Sequence, residues 1–364
     1  MSTHPELPKV GPVDLVLYHV GGDDGVGPIG AVLEVIPNCV LVTFEIRDDA
    51  RPVLVETSEQ NPQQIKIKVN RAVDEKRTTK DFYVTNQPKS SSLFKPSPMA
   101  KSEDPGYPHC QSWDDTTQIV KTLSVQTSSI EQIINELGLP PPDIISSDAQ
   151  GAELGILRGA GPYLDTALAL VTEVEFSEIY HRQPLFDEQM ALVSPKGFRL
   201  ANILNAQMWH PMNRMKGMGF LTAAEALFVK YFFNFAATDE RPARGYIDMR
   251  WVPTTVLLKA ILVAMGFRLA SYAVMIAKFI KAERNDYQQY VDSTYMLKRT
   301  FDILTFFEQH KNDADRSFDF FIDTLQIPDS VYLRNGVPDT CAIQRNLLKQ
   351  MWLQQQAAAQ PARA

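Results

Sequence analysis

The 364-residue chain has only three cysteines, Cys39, Cys110 and Cys341, and they stand far apart. None forms a CxxC pair or a metal-ligand cluster, so neither a disulfide framework nor a thiolate zinc site is expected. The pattern reads as that of a reduced, cytoplasmic chain. Positive charge is also scarce: 36 basic against 43 acidic residues leave a net charge of −7. That balance speaks against nucleic acid as a general partner, because such a protein needs a basic surface to meet phosphates. Long uncharged apolar runs are missing too. The most apolar stretch, 254–283, is interrupted by Lys259, Arg268, Lys278 and Lys281, whereas a membrane span needs roughly 20 nearly uncharged residues. It reads as a buried or interfacial helix pair, and no membrane span is expected. The opening MSTHPELPKV lacks the apolar core of a secretory signal.

What is present is an ordinary globular composition, 45 % apolar and 22 % charged. After an arm over 1–12, the apolar run DLVLYHV (14–20) reads as a buried strand ending at Gly21-Gly22. A helix over 26–37 and a strand over 38–45 follow. QIKIKVNRAV (64–73) alternates as a third strand, with KDFYVT (80–85) as a hairpin arm. The Ser-, Pro- and Lys-rich stretch 86–115 reads as a long loop, and loops of that length in compact domains are usually functional lids or disordered. Residues 120–126 are strand-like. SSIEQIINELG (128–138) has a serine cap, Glu131 near its start and Gly138 at its end, the marks of a helix. A strand ending at Asp148, a helix over 152–164, a strand over 167–176, a helix over 186–196 closed by Gly197, and strands over 198–204 and 225–232 complete the series. This alternation predicts a mostly parallel, doubly wound sheet. The remainder is helical in pattern over 253–283, 286–311, 316–325 and 337–356, ending in a tail over 354–364.

The loop GGDDGVGPIG after the first strand supports two readings. GVGPIG at 25–30 matches the GxGxxG dinucleotide fingerprint, and Glu45 ends the next strand twenty positions after Gly25, where an acidic residue can take ribose hydroxyls. Against NAD and oxidoreductase chemistry, the fingerprint does not follow the strand directly. Asp23 and Asp24 also put carboxylates where a pyrophosphate needs N–H donors. S-adenosylmethionine carries a sulfonium and an ammonium but no phosphate, so an acidic loop attracts it. The bland alternative is a flexible turn with a solvated Asp pair.

The strand ends carry further carboxylates. Glu173 and Glu175 share one face of their strand, because side chains alternate. A central parallel strand is apolar on both faces, so two carboxylates there are costly unless they meet a site, a metal or partners. With Asp148 they converge on the sheet edge that carries the glycine loop. One could take a proton from a substrate hydroxyl, or two or three could hold a divalent cation such as Mg2+, with Asp148 and Glu173 as the first ligand candidates. The competing reading has Glu153, Glu173 and Glu175 bound only to helix N-termini or to Arg158 and Arg182. His181, in the loop EIYHRQP, is a second candidate base. His19 lies within the first strand, and His210 is a weaker candidate.

DIISSDAQGAELGILRGA (143–160), LVTEVEFSEIYHRQPLFDEQMALVSPKGFRLANI (170–203) and EALFVKYF (225–232), with FEIRDDA, NRAV, FYVT and SSLFKP upstream, resemble the FkbM-type methyltransferases over roughly 13–232. The resemblance implies a Rossmann-like α/β domain over 13–235, a helical extension over 236–353, and S-adenosylmethionine-dependent O-methylation of a saccharide or natural-product hydroxyl. It implies that Gly21, Gly22, Asp23, Asp24 and Gly25 cradle the methionine part, that Glu45 holds the ribose and that Asp148 flanks the cofactor. Glu175 or His181 would take the proton, with Glu173 and Asp148 as orienters or metal ligands. His19 stands where the family's first motif carries an acidic residue, which also leaves room for a noncatalytic scaffold joined to a helical interaction module. The helical extension offers a surface for a homodimer.

Overall fold

Five of the expected strands pair in parallel at the centre of an eight-stranded mixed sheet. The computed structural model describes residues 7, 9–21, 27–36, 38–46, 53–57, 64–98, 112–209, 219–233, 245–292 and 294–309. In chain order the first elements are β1 (Leu15–Val20), α1 (Gly30–Val35), β2 (Cys39–Glu45), β3 (Val53–Thr57), β4 (Gln64–Asn70), β5 (Ala72–Val73), β6 (Thr79–Thr85), α2 (Trp113–Thr116) and β7 (Ile119–Ser128). There follow α3 (Ile130–Leu137), β8 (Ile144–Ser147), α4 (Glu153–Gly159), α5 (Pro162–Thr166), β9 (Ala169–Glu175), α6 (Phe186–Val193), β10 (Phe198–Trp209) and β11 (Phe220–Lys230). The last are β12 (Phe232–Phe233), β13 (Ile247–Asp248), α7 (Thr254–Gly266), α8 (Ala270–Glu283), α9 (Gln288–Val291) and α10 (Tyr295–Gln309). Residues Met1–Thr305 form one compact unit; of the second, Phe306–Ala364, the described residues stop at 309. The helices expected over 316–325 and 337–356 and the tail lie outside them.

The sheet order is β10-β11-β9-β8-β1-β2-β4-β3. β9, β8, β1, β2 and β4 run parallel, β11 is antiparallel to both its neighbours, and β3 is an antiparallel edge. β1 is buried along its whole length, as a strand covered on both faces must be. The chain leaves β1 toward β2 and β4 on one side, and β8 and β9 fill the other. Strand order therefore reverses between β1 and β8, with their carboxyl ends adjacent.

Several boundaries differ from the pattern reading. The alternating run 64–73 is two strands: β4 joins the large sheet, while β5 pairs with β7 in a separate three-stranded sheet with β6. Arg71 is the hinge, its N–H donating to Glu45 O at 3.0 Å. The helix expected over 152–164 is broken into α4 and α5, because Gly161 takes φ +55° and Pro162 supplies no N–H to the helical ladder. The helix expected over 186–196 ends as α-helix at Val193 and tightens into a 3-10 turn, with Gly197 left-handed as expected. β3 answers to no expected element; five residues on an edge carry little periodicity. α3 starts at a Ser129–Gln132 capping box and ends at left-handed Gly138.

The apolar stretch 254–283 is the helix pair α7 and α8. α7 is buried nearly all round, the mark of a helix inside a core, and Lys259 pairs with Asp143 at 2.9 Å. No described helix is long and apolar enough to cross a membrane.

Candidate active site at the carboxyl edge

β1 ends where Gly21 turns at φ +93°. A Cβ there would stand 1.9 Å from the Asp148 carbonyl oxygen, so only glycine lets the two chain ends pass. Asp148 N donates to Val20 O at 2.9 Å and locks the end of β8 to β1. Gly22, Asp23, Asp24 and Gly25 lie outside the described residues. Glu45 ends β2, half-buried, with its carbonyl bound by Arg71 N. His19 is packed within the sheet, 3 % exposed, with Nδ1 3.0 Å from Ser146 Oγ.

Gln150 organises the turn after β8. Its backbone is left-handed at φ +54°, a conformation that costs a side-chain-bearing residue about 1–2 kcal/mol. Its Nε2 donates to Asp148 Oδ1 at 2.8 Å and to Glu173 Oε2 at 3.0 Å. The Tyr180 hydroxyl lies 2.9 Å from both Gln150 Oε1 and Ser90 O, and Ser92 Oγ donates to Gln150 O at 2.6 Å. The first part of the expected lid, 86–98, is thereby tied to the strand ends. It is also bridged to the 177–183 loop, where His181 N donates to Lys95 O and Ser97 N to Ile179 O. Residues 99–111 lie outside the described residues.

The carboxylates converge. Glu153, first in α4, accepts from Ala149 N at 2.6 Å through Oε1. Glu173 and Glu175, two apart on β9, share a face as expected, and one ligand atom from each of Glu153, Glu173 and Glu175 falls within 4.8 Å of the others. β11 adds Glu225 in register with Glu173. Glu225 Oε1 stands 3.8 Å from where a Cβ on Gly27 would be, so this carboxylate borders the glycine loop.

Burial first, and then mutual repulsion, hold these groups well above the usual carboxylate range. Glu173 is raised by burial and by the charges of Asp148, Glu175, Glu153 and Glu225. Glu175 is raised by burial and by Glu153 and Asp148. Glu153 and Glu225 are each pushed up to about 7, with burial the main cause. Among the described residues no lysine or arginine forms an ion pair with any of them or with Asp148. In particular, Arg158 and Arg182 do not neutralise the group. His181 stands apart in character: it is exposed, with Nδ1 3.5 Å from Glu178 Oε1.

Sequence reasoning singled out neither Glu225 nor Gln150 as a site residue. A glutamate within the β11 pattern EALFVKYF was the available signal for the first. For the second, the QG pair was legible only as a turn.

A methyltransferase FkbM domain model matches residues 20–200, from the end of β1 to the start of β10. The chain belongs to the FkbM methyltransferase family. The match spans the Gly21 turn, the SDAQGAE segment and the β9 carboxylates. No curated protein and no solved structure is significantly similar to the chain.

Proposed function

We propose that this FkbM methyltransferase uses S-adenosylmethionine to methylate a hydroxyl group of a saccharide or natural-product acceptor. The observation that carries the cofactor reading is the chemistry of the carboxyl edge. Asp148, Glu173 and Glu225 stand at or beside the reversal of strand order, where open α/β sheets bind their ligands, and among the described residues no basic partner offsets them. That donor set suits a sulfonium and an ammonium and repels a pyrophosphate, which disfavours NAD. The reversal of strand order at β1/β8 supports reading 13–235 as a Rossmann-like, doubly wound domain; in this reading the helices after 236 are its extension and a surface for self-association. Gly21 and the loop over Gly22–Gly25 would hold the methionine part, Glu45 the ribose, and Asp148 would flank the cofactor.

When bound, the cofactor supplies an electrophilic methyl group on sulfur. The chain's own task is to align an acceptor oxygen in line with it, exclude water and accept the proton. Glu175 is the first candidate for the proton: it is buried, and among the described residues neither of its oxygens has a geometrically formed hydrogen bond. Glu173, held by Gln150, orients. His181 is the second candidate base, open to solvent on the loop that Lys95 braces. The strap 86–98 would wall the acceptor side. Calorimetry of the full chain with S-adenosylmethionine and with NAD tests the reading. Heat with the first alone is expected; heat with NAD alone, or with neither, would overturn it.

A further inference from the structure

The carboxylates of β9 and α4 have more order than a general negative field requires. Glu175 is 1 % exposed and Glu153 is 1 % exposed. Both oxygens of Glu175 and Oε2 of Glu153 are shut away from solvent, with no geometrically formed hydrogen bond among the described residues. The buried Gln183 side chain favours the Glu175 anion. Two of the other three oxygens have a donor: Ala149 N–H donates to Glu153 Oε1, and the Gln150 amide donates to Glu173 Oε2. One oxygen from each of the three carboxylates lies within 4.8 Å of the others. Burying ionised carboxylates without partners is costly, and a cation among them removes that cost.

From this geometry we infer a divalent-cation site formed by Glu153, Glu173 and Glu175. The ligands are all carboxylate oxygens, with no imidazole or thiolate among them, so the class of ion is hard: Mg2+, Mn2+ or Ca2+. The donors on Glu153 and Glu173 are the outer contacts that commonly orient metal-binding carboxylates. Of the ligand pair expected from sequence, Glu173 belongs to the site. Asp148 is joined to Glu173 through the Gln150 amide. Glu175 has two unengaged oxygens, so one can meet the ion while the other serves the acceptor hydroxyl. An ion held by these three carboxylates would supply a positive charge able to lower the pKa of a hydroxyl brought to the carboxyl edge.

The site stands on the carboxylates alone, so it is tested without S-adenosylmethionine or acceptor, and its failure would leave the methyl-transfer reading untouched. The full chain is stripped with EDTA, then titrated with MgCl2, MnCl2 and CaCl2 by calorimetry, with thermal unfolding measured in parallel. Saturable binding of one ion per chain and a rise in Tm are expected with at least one of the three. Glu175→Gln and Glu153→Gln should each weaken binding roughly ten-fold or more, while Glu178→Gln, on the exposed loop, leaves it unchanged. In EDTA, Glu175→Gln should melt no lower than the parent, because the amide keeps the shape and cannot ionise among the other carboxylates. If Glu175→Gln does not fold, Glu153→Gln carries the comparison. Absence of saturable binding, or binding that survives the loss of either carboxylate undiminished, overturns the inference.

Discussion

The Gln150 amide joins Glu173 to Asp148 with hydrogen bonds of 3.0 and 2.8 Å, and it does so from a left-handed backbone that a glycine would adopt at no cost. The side chain is therefore retained against a local conformational penalty, as strained residues at functional sites are. Gln150→Gly separates the two effects. It should relieve about 1–2 kcal/mol of backbone strain while releasing Glu173 and Asp148. Stability is expected to stay within about 1 kcal/mol of the parent while turnover falls roughly ten-fold or more. Undiminished turnover would show that the amide does not position the carboxylates.

Glu175→Gln keeps the shape of the side chain and removes its capacity to accept a proton. Turnover should fall roughly 100-fold, with an unchanged far-ultraviolet circular dichroism spectrum. A variant that folds and turns over normally would transfer the base role to His181, which His181→Gln would then test by the same assay.

Glu225 carries a pH signature. Burial, and next the charge of Asp148, raise its carboxyl from 4.5 to about 7. A carboxyl with a higher pKa folded than unfolded binds its proton more tightly when folded. Its contribution is complete below about pH 4.5 and is lost as pH rises through about 7. In chelator, urea unfolding at pH 5 and pH 8 should show the parent losing up to about 3 kcal/mol more than Glu225→Gln over that interval. Equal losses would mean that Glu225 titrates as an ordinary carboxylate.

Gly21→Ala places a methyl group against the Asp148 carbonyl in a left-handed backbone. The neighbour is main chain and cannot swing aside, so the ends of β1 and β8 must separate. A loss of at least about 2 kcal/mol is expected from strain and clash together, along with weaker S-adenosylmethionine binding by calorimetry. A parental Tm would show that the two chain ends are not locked.

Lys259 reaches from α7 to Asp143 at the start of β8, and Asp143 Oδ2 also accepts from Val16 N at 2.9 Å. Lys259→Met should cost about 3 kcal/mol by leaving a buried carboxylate unpaired. Asp143→Asn in the same chain should restore most of it, as read from denaturant midpoints. If the double variant is no more stable than the single, the pair does not carry the contact between helix and sheet.

The local chemistry of this chain was legible without coordinates wherever one strong rule acted alone. The serine before IEQIINEL and Gly138 after it bounded α3 to within two residues, because caps are local hydrogen-bond problems. Apolar runs marked the strands β1, β2, β8 and β9, since a strand covered on both faces has no polar alternation to disguise it. The placing of Glu173 and Glu175 on one face followed from the two-residue repeat, and the family followed from the SDAQGAE and EVEF segments.

Where two rules competed, only the tertiary structure decided. The repeat over 64–73 is continuous in sequence, yet its two ends pair with different sheets, because pairing depends on partners distant in the chain. The stretch 152–164 is helical in pattern, but Gly161 and Pro162 break it where a Cβ on residue 161 would meet the Glu131 carboxylate of α3. Glu225 reached the site through its register with Glu173, and Glu153 through the turn that Gln150 holds; neither relation exists along one strand or helix. Sequence alone therefore determined the kind of domain and two of its carboxylates. Folding determined that four glutamates, with no basic partner among the described residues, meet at one edge. Desolvation and mutual repulsion arise only when distant strands bring the charges within a few ångströms of one another.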